Sequence, residues 1–236
     1  MGKITDNDII PLLTDQPHFF AIDGEVYTIY PPSLGITYKG AAIMSLMDIN
    51  EKVMRTNAAV ETLRQVMKHR DLCAQLVSVY CAQGKAEAND ALTIGKRAET
   101  ISKGTTDAEL AKLVMLVLGS GRSVNVYKDA LGITKDNDEM RKVQAAKKNE
   151  NSYSFGGKSI YGALIGAACK EYGWTYDEVV WGISYANLQL MLADTVTSIY
   201  LSKDEQALAH IPSANARHFD GNTPEGIAAF RKATGL

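Results

Sequence analysis

Tyr161-Gly-Ala-Leu-Ile-Gly-Ala-Ala-Cys169 opens the stretch that decides the fold of this chain, and the stretch continues to Tyr200 with both tryptophans of the sequence. We call residues 161–200 the aromatic segment. Its first apolar residues recur at the spacing of one helix face, at Ile160, Leu164, Ala167 and Ala168. Gly173 is a typical helix stop because glycine adopts the left-handed conformation without strain. The stretch therefore predicts a helix that ends at Gly173.

The rest of the aromatic segment predicts two further helices. Thr175 and Glu178 have the spacing of a capping box, which satisfies free backbone N–H groups at a helix start, and Gly182 ends the short helix that they open. Ser184 can cap a third helix, predicted to run over residues 185–201. Its apolar stripe consists of Leu188, Leu192, Thr195 and Ile199, widened by Leu190, Met191 and Val196. We expect this helix to be buried on most sides.

The N-terminal region predicts a single β-hairpin. Residues 19–22 and 25–30 are rich in aromatic and β-branched residues, and Asp23-Gly24 between them is a strong turn signal. Pro31-Pro32 ends the second strand because proline cannot donate to the ladder. The spacing of apolar residues over 34–47 is helical. Because a two-stranded hairpin is marginal in water, we expect these helices to cover one face or another chain to pair with its edge.

Residues 57–83 carry the longest helical pattern, with Gly84 as its natural stop. The apolar residues predicted to share one face are Val60, Leu63, Met67, Leu76, Val77 and Tyr80. Thr106 and Glu109 form another capping pair and open a predicted core helix that ends at Gly119. Every strong periodic segment after Pro32 is thus helical. The fold class predicted is mainly α, a helical bundle-like domain with one small N-terminal β-hairpin.

The composition predicts a soluble cytoplasmic protein. Apolar residues make up 46% of 236 residues, which is enough for a sizeable core, and the formal charge is -2. That charge provides no general attraction to nucleic acid or to an anionic membrane. No apolar run approaches the roughly 20 residues that span a bilayer, and the first residues lack the apolar core of a secretion signal. The odd number of cysteines, at 73, 81 and 169, indicates a reducing compartment.

Changes in composition predict four regions. Residues 1–134 hold the hairpin and a helical module, and residues 135–157 form a polar helix and linker. Residues 158–209 form the aromatic-rich helical module. Residues 210–236 are predicted to be a flexible C-terminal arm, whose only apolar anchors are Ile227 and Phe230.

Tests for catalytic and nucleotide-binding motifs fail. Gly156-Gly-Lys-Ser159 copies the end of a phosphate-binding loop, but the position that requires the earlier glycine holds Ser152. The histidines are scattered, and the adjacent Asp177 and Glu178 point in different directions on a helix. We therefore predict no catalytic residue, no cofactor and no metal site.

The aromatic residues are concentrated instead in the aromatic segment, at Tyr172, Trp174, Tyr176, Trp181, Tyr185 and Tyr200. Core packing explains such a cluster, and so does a protein interface, which favours aromatics with polar tips. The residues that we select as candidates for partner binding are Tyr172, Trp174, Trp181, Tyr185, Leu188, Met191, Ile227 and Phe230.

Tyr172-Gly-Trp-Thr175 and Trp181-Gly-Ile-Ser-Tyr-Ala-Asn-Leu188 resemble the tail assembly chaperones of long-tailed, siphovirus-like bacteriophages. The likeness covers mainly residues 159–201, with a weaker echo in the strand pair followed by Pro32-Ser-Leu-Gly35 and an apolar helix. Proteins of that family are small and helical and coat the tape-measure protein until the tail tube polymerises around it. The family has no catalytic residues to carry over.

The resemblance implies a non-enzymatic protein of the host cytoplasm that binds and shields the helical tape-measure protein and associates with itself. No membrane or nucleic-acid partner is expected. A C-terminal arm that docks in the client groove lowers the apparent client affinity, so truncation after His210 is expected to tighten binding. Two other classes remain open: a virion structural or connector protein, and a small helical nucleotide-binding enzyme.

Overall fold

The computed structural model describes residues 6–119, 124–147, 157–196 and 198–209. Most of these residues are helical, and the strands among them form one antiparallel hairpin, which confirms the predicted mainly α fold class. The described chain divides into two compact units, the first from residues 1–135 and 154–196 and the second from residues 136–153 and 197–236. The predicted arm at 210–236 and most of the predicted linker's C-terminal half lie outside the described residues.

The described elements follow one another in chain order, with two π-helical turns labelled π1 and π2. They are α1 Asp6–Leu13, β1 His18–Ile22, β2 Glu25–Ile29, α2 Leu34–Met44, α3 Glu51–Thr56, α4 Ala58–Lys68, α5 Arg70–Tyr80, α6 Gly84–Asn89, α7 Ala91–Gly104, α8 Asp107–Gly119, α9 Val124–Ala130, α10 Ile133–Ala146, π1 Tyr161–Gly166, α11 Ala167–Tyr172, π2 Glu178–Gly182, α12 Tyr185–Ala193 and α13 Lys203–Leu208.

The hairpin forms as predicted. Asp23 and Gly24 both have positive φ, at 51° and 84°, as the two central residues do in the tight turns that join strands of ordinary right-handed twist. Phe20 and Tyr27 lie opposite each other and stack at 5.4 Å between ring centroids. Ile22 and Ile29 are buried on the same face, so the hairpin packs that face on the helices.

Helix α5 is the centre of the first unit and packs against α2, α4, α7 and α8. Its side chains are buried almost all round, including Cys73, Leu76 and Val77. The buried hydroxyl of Ser78 donates to the carbonyl of Ile94 on α7 at 2.8 Å. A helix surrounded in this way needs few polar residues, which explains why most residues from Leu72 to Tyr80 are apolar.

The single helix predicted over residues 57–83 is wrong, because the chain breaks at His69. His69 has φ −134° and ψ 49°, so α4 ends at Lys68 and α5 begins at Arg70. The Arg70 guanidinium donates to the Ser102 carbonyl at 2.7 Å and pairs with Asp107, and these contacts tie the start of α5 to the end of α7 and to the start of α8. Gly84, predicted as a stop, lies at the start of α6 with φ 74°. Tertiary contacts thus override a continuous local pattern.

The aromatic segment is mostly helical, but the last of its helices ends earlier than predicted. Gly173 ends α11 in the left-handed conformation, as predicted. The third helix stops at Ala193 rather than continuing to Leu201, which corrects the prediction. The Thr195 hydroxyl donates to the Met191 carbonyl at 3.2 Å and lies 3.3 Å from the Tyr172 hydroxyl, so its side chain is held against the end of α12.

The N-terminal elements and residues 157–196 belong to the same compact unit, whereas the sequence analysis treats them as separate modules. Leu34 of α2 is buried in one cluster with Ile165, Val179 and Leu188 of the aromatic segment. In the second unit, α13 begins with a capping box between Ser202 and Glu205.

Candidate functional site

Trp181 connects the two hydrophobic clusters of the first unit. Its ring packs against the cluster around α5 and also against the cluster of the aromatic segment. The ring lies on Gly35 of α2, where a Cβ would come within 2.5 Å of the ring atom Cζ3. The predicted capping pair fixes π2, since the Glu178 carboxylate accepts from the backbone N–H of Thr175 at 2.7 Å. Trp181 is therefore held as a packing residue between α2 and the aromatic segment.

Polar contacts also attach the aromatic segment to the N-terminal elements. The backbone N–H of Tyr185 donates to the Pro32 carbonyl at 2.8 Å. The Asn187 amide donates to the Leu12 carbonyl and to the Asp15 carboxylate, each at 3.0 Å. These contacts hold the start of α12 beside α1 and the end of the hairpin.

The other predicted binding residues lie on or beside the same cluster. The rings of Tyr172 and Trp174 are half-buried and contact each other at 4.9 Å between centroids. Tyr185 is half-buried, Leu188 is fully buried, and Met191 is partly exposed. Six of the eight predicted binding residues are described. Five of them, counting Trp181, pack together in the cluster, whereas Met191 is partly open to solvent. Ile227 and Phe230 lie outside the described residues, and a binding role for any of the eight stays a prediction.

An open groove with a mainly apolar lining meets the aromatic segment at Ala186, and we call it the α8 groove. It has a volume of about 760 Å³, within the range of about 300–1,000 Å³ typical of ligand sites. One wall is a face of α8, with residues at helical spacing: Lys112, Met115, Leu116 and Gly119. The remaining lining comes from α1 and the loop after it, the start of β1, the end of β2 with the two residues that follow it, α9 and Ala186 of α12.

The charged and titratable groups of the α8 groove are cationic or neutral. Lys112 and His18 line the groove, and no lining residue is an aspartate or glutamate. The Lys112 ammonium forms no salt bridge with any residue that the structure describes. The groove thus combines an apolar wall with the cation of Lys112, whose charge also helps to lower the pKa of Glu109, and an apolar segment that carries a carboxylate would complement it.

A smaller cavity of about 240 Å³ lies on the other side of Pro31. Its polar lining includes the phenols of Tyr30 and Tyr80 and the hydroxyls of Ser33 and Ser184. Burial raises the pKa of Tyr80 to about 12, so its phenol stays neutral near pH 7. The Gln83 amide already donates to the Tyr30 hydroxyl at 3.1 Å.

Helix α4 buries Val66 in the core, but it exposes three other apolar side chains and buries two long polar ones. Val60, Leu63 and Met67 are 54%, 38% and 72% exposed, whereas Glu61 and Gln65 are 0% and 2% exposed. The sequence analysis placed those three on one face with Leu76, Val77 and Tyr80, and that prediction is wrong because the latter three are buried. The break at His69 separates α4 from the α5 face to which the pattern joined it.

Polar residues along one side of α4 form a hydrogen-bonded network that is partly buried and partly exposed, in which the buried Gln65 Oε1 has no partner among the described residues. The Glu61 carboxylate accepts from Arg64 Nη2 at 2.7 Å, from Gln65 Nε2 at 2.9 Å and from the Asn50 backbone N–H at 2.8 Å. The hydrogen bond from Arg64, followed by those from the Asn50 backbone and Gln65, lowers the pKa of Glu61 to about 2. Asp48 accepts from Lys68 at 2.5 Å, and that bond lowers its pKa well below the usual range.

The α8 groove and the exposed face of α4 are the two surfaces that the sequence analysis missed. Each includes apolar residues of one helix at helical spacing, and that pattern predicts a buried face without indicating what buries it. A polar residue at Glu61 or Gln65 beside a predicted core stripe was the available signal, because such residues are rarely buried without partners.

Comparison with known proteins adds no family to this description: no family model matches the chain, and neither a curated protein nor a solved structure matches it. None of the described helices has both the length and the apolar character needed to cross a membrane. Among the described residues, no group of three or more His, Cys, Asp or Glu side chains is placed to hold a metal ion.

Proposed function

We propose that this protein is a phage tail assembly chaperone that binds the helical tape-measure protein in the host cytoplasm before the tail tube polymerises. The observation that carries the proposal is the α8 groove, an open apolar surface of about 760 Å³ beside the segment that resembles this family. A protein that shields amphipathic helices needs such a surface, because an exposed apolar helix face otherwise aggregates.

The binding mode that we propose is a client helix lying along α8. Met115 and Leu116 contact the apolar side chains of the client, and Gly119 permits close approach of the client because it has no side chain. Lys112 pairs with a client carboxylate at the edge of the groove. This mode requires no reacting group, in agreement with a non-enzymatic role.

Co-purification with the co-encoded tape-measure protein tests the proposal. Met115→Glu places a charge on the apolar wall and is expected to reduce client affinity at least tenfold, as the loss of a central interface contact does. Leu92→Glu is the matched control, because Leu92 is a largely exposed residue of α7 that does not line the groove. It should leave binding unchanged.

Three results would count against the proposal. The wild-type protein fails to bind the tape-measure protein, both variants bind as the wild type does, or the protein remains a stoichiometric component of purified virions. The last result would indicate a structural component of the particle instead.

A further inference from the structure

The smaller cavity beside Pro31 is lined by a buried polar group that the fold leaves without a partner, and we call it the Tyr80 cavity. Tyr80 is 5% exposed and lines this cavity of about 240 Å³. Its hydroxyl forms no hydrogen bond with any residue that the structure describes. Because buried polar groups nearly always have a hydrogen-bond partner, the Tyr80 hydroxyl is available to a molecule that enters the cavity.

Contacts between distant parts of the chain hold the walls of the Tyr80 cavity in place. The Tyr185 backbone N–H donates to the Pro32 carbonyl at 2.8 Å. The Lys85 ammonium lies 2.9 Å from the Asp177 carboxylate and ties α6 to the start of π2. Trp181 of π2 forms part of the wall, and π-helical turns are rare and often occur at functional sites. The cavity is thus preformed, as ligand sites usually are.

The lining of the Tyr80 cavity combines one carboxylate with three aromatic rings. Among the described lining residues, Asp15 alone is charged, and none is a lysine, arginine or histidine. The Asn187 amide donates to the Asp15 carboxylate at 3.0 Å, but no cation of the described residues pairs with it. The rings are those of Tyr30, Tyr80 and Trp181. This lining favours a cation, since carboxylates and the electron-rich faces of aromatic rings both attract ammonium groups.

The size and charge of the Tyr80 cavity also exclude other ligand classes. Ligand sites usually measure about 300–1,000 Å³, so this smaller cavity suits a small molecule rather than a nucleotide or a peptide segment. An anion would meet the Asp15 carboxylate without a basic residue to offset it. A neutral hydroxylated ligand would use the same hydroxyl groups, but it would gain nothing from the carboxylate charge.

We propose that the Tyr80 cavity binds a small organic cation, with its alkyl-substituted ammonium group beside Asp15 and a polar group of the ligand bonded to the Tyr80 hydroxyl. The cavity lies across Pro31 from the α8 groove, and the proposal does not depend on the function proposed above.

Choline and its uncharged tert-butyl analogue, in which carbon replaces the nitrogen, test this proposal. The two probes have the same shape and the same hydroxyl group, and they differ in charge. Ligand-observed NMR titration with the full-length protein should show saturable binding of choline with millimolar affinity or tighter. The analogue should bind at least tenfold more weakly, because it lacks the attraction to Asp15 and to the aromatic rings.

Substitutions in the cavity separate the charge from the hydroxyl. Asp15→Asn removes the charge and keeps an oxygen that accepts from Asn187, so it should reduce choline affinity at least tenfold without changing the weak binding of the analogue. Asp23→Asn is the matched control, because Asp23 is exposed, also has positive φ and does not line the cavity. Tyr80→Phe keeps the ring and should weaken both probes by the same factor.

Three results would overturn the proposal. They are equal affinity for the two probes or no saturable binding of choline, an equal effect of Asp15→Asn and Asp23→Asn on choline affinity, and unchanged choline affinity in Tyr80→Phe. Equal affinity for the probes would assign the cavity to neutral ligands.

Discussion

At the scale of single residues, the contact between Gly35 and Trp181 shows how one missing side chain positions an aromatic ring. The ring occupies the space that a Cβ at Gly35 would need, and it packs against both hydrophobic clusters. Gly35 is therefore required by the close approach of α2 to the aromatic segment rather than by backbone conformation. Trp181, for which the sequence leaves both a core and an interface role open, has a packing role in this arrangement.

Gly35→Ala is expected to lower the free energy of unfolding by about 1–3 kcal/mol, because the new Cβ overpacks the site against the Trp181 ring. Trp181→Ala alone should cost about 3 kcal/mol or more, through lost burial and the cavity that it leaves. In the Trp181→Ala background the cost of Gly35→Ala should largely disappear. Urea unfolding of the two single variants and the double variant measures the coupling.

Gly95→Ala is the control for this cycle. Gly95 lies inside α7, and a Cβ there meets no atom within 4 Å, so the substitution should stabilise the protein by about 0.5–1 kcal/mol through helix propensity. An equal effect of Gly35→Ala with and without the Trp181 ring would show that the contact has no energetic role.

At the scale of elements, α4 is oriented by its polar network rather than by its apolar stripe. Glu61 ionises in the folded state with a pKa of about 2, against 4.5 for an unperturbed carboxyl. A lowered pKa in the folded state means that the carboxylate stabilises the fold above about pH 4.5. That contribution is lost as the pH falls from 4.5 towards 2.

Glu61→Gln should therefore destabilise the protein near pH 7, and the difference from the wild type should shrink as the pH is lowered from 5 towards 2. The measurement is the urea midpoint of both proteins as a function of pH. Glu51→Gln serves as the control, because Glu51 pairs with Arg55 on the surface and exposed pairs contribute little. A pH-independent difference for Glu61→Gln would show that its carboxylate charge does not orient α4.

At the scale of the whole molecule, the first unit joins sequence regions that lie far apart. Leu34 and Leu188 are buried in one cluster, and Trp181 links that cluster to the core around α5. Because the two clusters share this ring, we expect residues 6–119 and 157–196 to unfold as one cooperative unit.

Leu188→Ala tests this cooperativity and should cost about 2–5 kcal/mol, since Leu188 is fully buried. In a background with Cys81→Ser and Cys169→Ser, the reaction of the Cys73 thiol with a thiol reagent reports on α5. That thiol is fully buried, and burial also raises its pKa to about 11, so we expect it to react after unfolding exposes it. Tryptophan fluorescence reports on the aromatic segment.

The urea midpoints of the two probes should fall together in Leu188→Ala. Leu208→Ala, at an exposed leucine of α13 in the second unit, should shift neither. A fall in the fluorescence midpoint with Cys73 still protected would mean that the two clusters unfold separately.

The sequence by itself determined the features that depend on neighbouring residues. Asp23-Gly24 specifies a hairpin turn, Gly173 ends a helix, and Thr175 with Glu178 starts one, because each is set by backbone conformation or by a hydrogen bond across three residues. The mainly α fold class follows from the same local signals. The resemblance to tail assembly chaperones and the binding roles assigned to the aromatic residues remain predictions.

Tertiary structure alone decided where α4 and α5 separate and which side of α4 faces solvent. The pattern over residues 57–83 is continuous, yet the contacts of Arg70 with the end of α7 and of Asp48 with Lys68 and His69 break it at His69. Once α4 is separate, its polar network turns Val60, Leu63 and Met67 to solvent. Periodicity records that a helix has an apolar face, but only partners distant in sequence determine whether that face meets the core, a groove or water.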